Sequence, residues 1–178
     1  MSRPLATSPR DAAPAPGPVP ADIITIERAL TEISYLTNRV RQHERLMAMA
    51  GVPLERAAVA LLRAVADSDG LRPGELAGRL GVEASHITRQ VQQLQKSGHV
   101  TRVPDPDDRR AQRIRLTPAG RDAVDRVRET SRRGMQTALG EWSPEELHQL
   151  ATLFRRMVGD FLAGAGEDQD GPRPPDPV

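Results

Sequence analysis

The chain has 178 residues and a formal net charge of only +1, so its length predicts one domain with appendages, and as a whole it is not conspicuously basic. It contains no cysteine, which excludes disulfides, thiolate metal sites, thiol nucleophiles and peroxide sensing through a thiolate. The first residues lack the apolar core of a signal peptide, and the longest apolar run, residues 57–62, is far too short to cross a membrane. We therefore expect a cytoplasmic protein without a membrane segment.

The first 50 residues divide into a tail and a helix. Residues 1–21 are rich in proline and alanine, which predicts a disordered tail. The segment 22–50 has apolar residues at helical spacing and predicts one helix to about residue 49, with Asp22 as its N-cap. Gly51-Val52-Pro53 ends that helix, and the almost wholly apolar residues 54–66 predict a short buried one.

Two helices separated by a tight connection follow. Residues 73–80 form a short predicted helix, Gly81-Val82 connects it to the next, and that second helix, at residues 84–97, places Ile87, Val91 and Leu94 on one face. Gly98 is well placed as its left-handed C-cap residue. The opposite face consists of hydrogen-bond donors and cations and has no carboxylate: Ser85, His86, Thr88, Arg89, Gln92, Gln93 and Lys96.

After this helix the pattern changes to a period of two. Residues 99–103 and 112–116 alternate like two short strands, and the segment 104–111 between them is a turn by composition, with Arg109 and Arg110 near its tip. Residues 71–120 contain nine Lys/Arg and five Asp/Glu, which suits local phosphate binding. The order helix, turn, polar-faced helix and β-hairpin predicts a winged helix-turn-helix, whose second helix enters the major groove of DNA.

Two helices complete the chain. Thr117 and Pro118 predict the start of a long charged helix over 117–140, and a capping box formed by Ser143 and Glu146 predicts another over 143–163. Glycines at 164 and 166 predict the end of that helix, and 164–178 an acidic disordered tail. The first and last helices are more apolar than one small core needs, so segments 22–50 and 143–163 are expected to form a homodimer interface.

The motifs resemble those of the multiple antibiotic resistance regulator (MarR) family of bacterial transcription factors, over about residues 23–162. The matching residues are Glu75-Leu76-Ala77, Leu80-Gly81-Val82, Ser85-His86-Ile87-Thr88-Arg89, Gly98-His99-Val100-Thr101-Arg102, Asp105-Pro106-Asp107-Asp108-Arg109-Arg110 and Leu116-Thr117-Pro118-Ala119-Gly120. The resemblance implies a mostly α-helical domain with a small β-wing, at residues 22–163. Its winged helix-turn-helix region would occupy 53–120, and its terminal helices would form a dimerisation domain.

The resemblance also implies a function. Family members act as homodimers on pseudo-palindromic operators, commonly as repressors, and a small molecule lodged between the dimerisation and DNA-binding parts often releases the DNA. The family's recognition contacts fall on Ser85, His86, Thr88 and Arg89, its minor-groove arginine falls on Arg110, and the acid that supports that arginine falls on Asp108. The sequence departs from the pattern at Glu83 and Arg72, where the family usually has a Ser, Thr or Asp that caps a helix.

Other readings remain open. Gln92, Gln93, Lys96, Arg102, Arg109 and Arg113 complete the set of candidate DNA contacts, and a merely solvated face is the alternative for the cations among them. The four histidines lie on four different elements and share no ligand spacing. No glycine-rich phosphate loop or catalytic set is evident, so neither metal nor cofactor is expected. The rival functions are a DNA-coating architectural protein without an effector and a small helical enzyme.

Overall fold

The computed structural model describes residues 19–108 and 110–167, which form seven helices and one two-stranded sheet. The elements are α1 (Ala21–Asn38), α2 (Val40–Ala50), α3 (Arg56–Ala66), α4 (Pro73–Leu80), α5 (Ala84–Lys96), β1 (Val100–Pro104), β2 (Gln112–Leu116), α6 (Pro118–Ala138) and α7 (Pro144–Glu167). This architecture confirms the predicted fold class of mostly α-helix with a small β-wing. The chain divides into two compact units, one ending at Val124 and the other beginning at Asp125.

The core of the first unit lies among α3, α4, α5 and the hairpin. Burial of its apolar side chains removes them from water, which is the main favourable contribution to folding. Ile87, Val91 and Leu94 of α5 are all buried, so the predicted inner face of this helix is confirmed. The remaining members of the cluster come from the neighbouring elements: Ala58, Leu61, Leu62, Ala64, Val65, Leu76, Val100, Ile114 and Val124.

The hairpin is fixed to the helix-turn-helix through its second strand. β1 and β2 are antiparallel, with Val100 opposite Leu116 and Arg102 opposite Ile114. On its other edge β2 meets the segment between α3 and α4. There the amide of Leu71 donates to the carbonyl of Ile114 at 3.2 Å, and the amide of Ile114 donates to Leu71 at 2.8 Å. The base of the wing is therefore hydrogen-bonded to the segment that leads into α4.

The predicted first helix is two helices, so that prediction was wrong. The chain leaves helical geometry at Arg39, whose ψ is 129°, and α2 begins at the next residue. The guanidinium of Arg56 lies at this break, donating to the side-chain oxygen of Asn38 at 2.8 Å and to the carbonyl of Arg39 at 3.3 Å. These hydrogen bonds attach the first residue of α3 to the break between α1 and α2. Asp22 lies in the first turn of α1, whose N-cap is Pro20.

The junction between the hairpin and α6 is close-packed. The amide of Gly120 donates to the hydroxyl of Thr117 at 3.1 Å, which confirms the predicted cap of α6. The same hydroxyl donates to the carbonyl of Gly98 at 2.6 Å, and the amide of Thr117 donates to the carbonyl of His99 at 3.0 Å. The end of α5 and the start of α6 are thus joined by direct hydrogen bonds.

The last helix begins where predicted and ends later. The amide of Ser143 donates to the carboxylate of Glu146 at 2.8 Å, and the amide of Glu146 donates to the hydroxyl of Ser143 at 3.2 Å, which confirms the capping box. The hydrogen bond from the Ser143 amide lowers the pKa of the Glu146 carboxyl. The helix continues through Gly164 and Gly166 to Glu167, so the predicted stop was wrong. Each glycine costs a helix only about 1 kcal/mol relative to alanine.

Both terminal helices expose apolar side chains. α1 has no buried residue, and its exposed side chains include Ile23, Ile26, Ile33, Tyr35 and Leu36. On α7 the exposed apolar residues are Leu147, Leu150, Leu153, Phe154, Val158, Phe161 and Leu162, of which Phe161 is 64% exposed. The predicted tails at 1–21 and 164–178 fall for the most part outside the described residues.

Candidate nucleic-acid interface

The outer face of α5 is a continuous polar surface. The helix contains no acidic residue, and its charged side chains are Arg89 and Lys96. With the inner stripe held in the core, the outward positions are all exposed: Ser85, His86, Thr88, Arg89, Gln92, Gln93 and Lys96. The structure therefore brings seven of the predicted site residues together on one helix face.

Both ends of α5 are set by glycines in left-handed conformation. Gly81, with a φ of 62°, turns the chain from α4 into α5, and Gly98, with a φ of 76°, ends α5 as predicted. Beyond Ser97, the amide of His99 donates to the carbonyl of Leu94 at 2.8 Å, and that of Gly98 donates to Gln95 at 3.0 Å. This pair of hydrogen bonds satisfies carbonyls that the last helical turn would otherwise leave unpaired. The N-cap residue Glu83 makes no side-chain capping hydrogen bond.

Thr88 differs from its neighbours on this face. Its hydroxyl donates to the backbone carbonyl of Ala84 at 3.0 Å. Because a hydroxyl has a single hydrogen, only its oxygen lone pairs remain for an outside partner. In this conformation Thr88 can accept a hydrogen bond from a base or present its methyl group, whereas Arg89 keeps its full set of donors.

The tip of the wing presents Arg110, which is exposed. Asp108, predicted to support this arginine, accepts a hydrogen bond from the Arg110 backbone amide at 3.0 Å. The carbonyl of Asp108 accepts from the amide of Ala111 at 2.9 Å. Asp108 therefore shapes the turn that carries Arg110. Arg109, a further predicted contact, lies outside the described residues.

The base of the wing contains a buried carboxylate, Asp105, whose exposed fraction is 1%. One of its oxygens receives the Nε groups of Arg72 and Arg113, each at 2.7 Å. The other accepts the backbone amides of Asp107 at 2.9 Å and Asp108 at 3.2 Å. These hydrogen bonds hold the pKa of the Asp105 carboxyl far below its usual range, and the bond from Arg72 has the largest effect. The bonds to Asp105 in turn raise the pKa of both arginines.

Two other predicted DNA contacts are turned into the protein. Arg102 is half-buried and donates from its Nε to the side-chain oxygen of Gln95 at 3.1 Å. Arg113 is half-buried and divides its donors between Asp105 and Asp107, with 3.3 Å to the latter. The structure does not gather these arginines with the exposed side chains of α5. Their assignment to DNA remains a prediction.

Sequence reasoning did not identify Asp105 and Arg72 as a pair. They are 33 residues apart, and the turn-rich segment around Asp105 predicted a loop without indicating which of its three aspartates would be buried. The available signal was Arg72 itself, an arginine at a helix N-cap, where Ser, Thr, Asp or Asn is preferred. Because arginine caps a helix poorly, its presence at this position indicates that its side chain contacts a residue distant in the sequence.

A cavity of about 850 Å³ lies under α2. Its lining is mostly apolar and includes Val40, Met47, Val52 and Leu54, with His43, Glu44 and Arg56 as polar members. The Nε2 of His43 lies 2.8 Å from the carbonyl oxygen of Leu54. Since a carbonyl can only accept, that nitrogen carries the proton.

No group of three His, Asp or Glu side chains in the described part of the chain could hold a metal ion. Across the same residues, every helix is too short or too polar to cross a membrane.

Comparison with known proteins supports the interpretation of the fold. Residues 52–111 match the model of the MarR family. An uncharacterised HTH-type transcriptional regulator of Bacillus subtilis (strain 168), YdgJ, is 26% identical over 126 residues, which are 71% of this chain and 77% of that protein.

Two solved structures share the fold. One, a MarR family protein from Bacillus stearothermophilus, aligns with a TM-score of 0.71 at 21% identity, over 79% of this chain and 96% of the other. Another, RV1404 from Mycobacterium tuberculosis, aligns with a TM-score of 0.64 at 26% identity, over 83% and 97%. The family match over the helix-turn-helix and wing, with the fold shared along both chains, makes residues 52–111 of this protein similar to the MarR family of transcriptional regulators.

Proposed function

We propose that the protein is a repressor that binds a specific double-stranded DNA operator as a homodimer. The observation that carries this proposal is the outer face of α5, where seven exposed polar or cationic side chains stand without a carboxylate among them. A helix with this face fits the major groove, whose base edges present distinct patterns of donors and acceptors and whose walls are phosphates.

Two arginines have different roles in this proposal. Arg89, on the exposed face near the middle of α5, is suited to a bidentate contact with guanine O6 and N7. Arg110, at the tip of the wing, would enter the adjacent minor groove, where narrow A·T-rich stretches attract arginine by their shape and potential. The helix would therefore read the sequence, while the wing responds mainly to the width of the groove.

The apolar surfaces of α1 and α7 support a dimer. Monomeric proteins rarely expose large contiguous apolar patches, and each of these helices has several exposed aliphatic or aromatic side chains. Packing against a second copy would remove them from water. Two α5 helices related by a two-fold axis would then read half-sites about 10 base pairs apart, centre to centre.

The cavity under α2 supports control by a small molecule. It lies between α2, in the segment predicted to dimerise, and the start of α3, in the winged helix-turn-helix region. Its apolar lining with a few polar groups is typical of ligand sites. Ala48→Trp places a large side chain at the cavity wall from an exposed position. For a compound that raises the Tm of the wild type, this variant should abolish the Tm shift while DNA binding is retained.

Protection mapping on the DNA that flanks the gene tests the main proposal. A specific regulator should protect one short pseudo-palindromic site, whereas an architectural protein should protect DNA continuously, without a preferred site. Arg89→Ala should weaken the footprint. Arg45→Ala, which removes an exposed positive charge on α2, is the matched control and should leave the footprint unchanged. Continuous protection, or equal loss in the two variants, would contradict the proposal.

A further inference from the structure

The carboxylate of Asp105 links the helix-turn-helix to the wing. Arg72 is the N-cap residue of α4, and its Nε lies 2.7 Å from the same Asp105 oxygen that Arg113 of β2 contacts. Both partners of the carboxylate are charged donors, and charge-assisted hydrogen bonds of this length are among the stronger ones in proteins. Because Asp105 itself is almost fully buried, water competes little for these contacts.

A chain of hydrogen bonds continues from Asp105 to the tip of the wing. The second oxygen of Asp105 accepts the amides of Asp107 and Asp108. Asp108 then accepts the amide of Arg110. The chain closes where the amide of Asp105 donates to the carbonyl of Ala111 at 3.1 Å. The position of Arg110 is thus defined relative to α4 through Arg72, Asp105 and Asp108.

We infer that Arg72 and Asp105 are positioning residues for DNA binding, which fix the wing relative to α5 so that Arg110 meets the minor groove while α5 occupies the major groove. This inference rests on the proposed function. α4 and α5 share the buried core of the first unit. A contact between the wing and the start of α4 therefore also fixes the position of the wing relative to α5. Neither side chain needs to touch DNA in this role.

The position of Arg72 favours this role over simple helix capping. An arginine side chain has no acceptor for the free amides at a helix start, and the cap at this point is supplied by Glu75, whose carboxylate accepts the backbone amide of residue 72 at 2.7 Å. The start of α4 therefore does not depend on the Arg72 side chain. The guanidinium is left for the contact with Asp105.

Arg72→Ser separates positioning from folding. Serine is a favoured N-cap residue, and the backbone amide at position 72 remains available to Glu75. The matched control is Asp69→Asn. Asp69 forms an exposed ion pair with Arg115 of β2, which also joins the hairpin to the segment before α4 but does not involve the wing tip.

The first measurement is amide hydrogen exchange in the absence of DNA at the hydrogen-bonded amides of the wing, which are those of Asp105, Asp107, Asp108, Arg110 and Ala111. We expect exchange in Arg72→Ser to be faster by about fivefold or more, the factor that corresponds to losing one moderate interaction. Tm should fall by only a few degrees, because Arg113 and two backbone amides still hold Asp105. Asp69→Asn should exchange like the wild type. Unchanged exchange in Arg72→Ser, or an equal increase in both variants, would overturn the inference.

Operator affinity on A·T-rich and G·C-rich flanks gives the second measurement. Arg72→Ser should lose most of the wild-type preference for A·T flanks while keeping its preference for the correct bases under α5. Retention of the flank preference despite faster exchange would also overturn the inference. If the wild type binds no DNA with specificity, the proposed function fails, and the exchange result alone then reports whether the wing is held by Arg72.

Discussion

Gly120→Ala tests the junction that joins the end of α5 to the start of α6. Gly120 lies in the first turn of α6 against the backbone of His99. A Cβ atom at this position would overlap the carbonyl oxygen of His99 and lie 2.9 Å from its carbonyl carbon and 3.3 Å from its Cα. All three obstructing atoms belong to the main chain, so no side-chain rotation can relieve the overlap. The two segments would have to move apart.

The expected loss of stability follows from the geometry. The overlap with the His99 oxygen is deeper than the overlap with the two carbon atoms, so the segments must part by at least about 1 Å. Overpacking of this kind costs about 1–3 kcal/mol. The separation also weakens the hydrogen bond from the Thr117 amide to His99, worth about 1 kcal/mol. Alanine recovers up to about 1 kcal/mol through its higher helix propensity. The net loss is about 1–4 kcal/mol, equivalent to a fall in Tm of about 2–16 °C.

Gly134→Ala is the control, because Gly134 lies in the same helix and a Cβ there would meet no atom within 4 Å. It should stabilise the protein by about 0.5–1 kcal/mol. Urea unfolding and thermal scans of both variants measure the difference. If α5 binds DNA as proposed, operator titration should also show weaker binding by Gly120→Ala, because the end of α5 is displaced. If Gly120→Ala were as stable as Gly134→Ala, the junction would not be close-packed and the reasoning would be refuted.

Arg89→Ala should relax preference at one base pair per half-site by about 1–3 kcal/mol, whereas Arg110→Ala should weaken binding most on operators with A·T-rich flanks. Competition titrations at several salt concentrations separate the two, and equal loss on all flanks with only a flatter salt slope would make Arg110 a phosphate contact. Phe161→Asp should shift the dimer towards monomer in light scattering, with Thr152→Asp on the same helix as control, and a monomeric wild type at micromolar concentration would contradict the interface. Because the pKa of Asp105 is lowered on folding, its ionised form contributes stability that is present above the unfolded pKa of about 4 and is lost as the pH falls through the folded pKa. Below about pH 4, the free energy of unfolding should therefore fall less steeply with decreasing pH in Asp105→Asn than in the wild type. Identical slopes would contradict the pairing of Asp105 with the two arginines. Peroxide should not cause a rapid, thiol-reversible loss of operator affinity, since the chain has no cysteine; such a loss would refute the prediction.

The elements that depend on local patterns could be predicted from the sequence. α4 spans Pro73–Leu80 and β2 spans Gln112–Leu116, both as expected. A helix that begins with proline and a strand with alternating apolar residues can each be recognised from a few consecutive residues. The capping box at Ser143 and the left-handed Gly98 are local in the same sense. Each of these features depends on side chains that are neighbours in the chain.

The features that were missed depend on contacts between distant residues. The break at Arg39 lies in a continuous apolar stripe, and its partner Arg56 lies 17 residues further on. The pairing of Asp105 with Arg72 joins the wing to a helix that precedes it by two elements. Periodicity reports which side of an element is buried, and it carries no information on which charged side chains meet after folding. Therefore the exposed face of α5 was predictable, whereas the frame that holds the wing was not.

In the proposed complex, the exposed face of α5 is where DNA binding would lose conformational entropy. The long side chains of Arg89, Gln92, Gln93 and Lys96 are exposed, and within the part of the chain that the structure describes they have no hydrogen-bond partner. Immobilising each of them costs about 0.5–1.5 kcal/mol, so together they oppose binding by roughly 2–6 kcal/mol. The base of the wing, by contrast, is ordered before DNA arrives. A DNA sequence that forms no hydrogen bonds with the side chains of α5 would leave this entropy loss uncompensated. In the proposed complex, the freedom of these side chains before binding would therefore contribute to discrimination between operators.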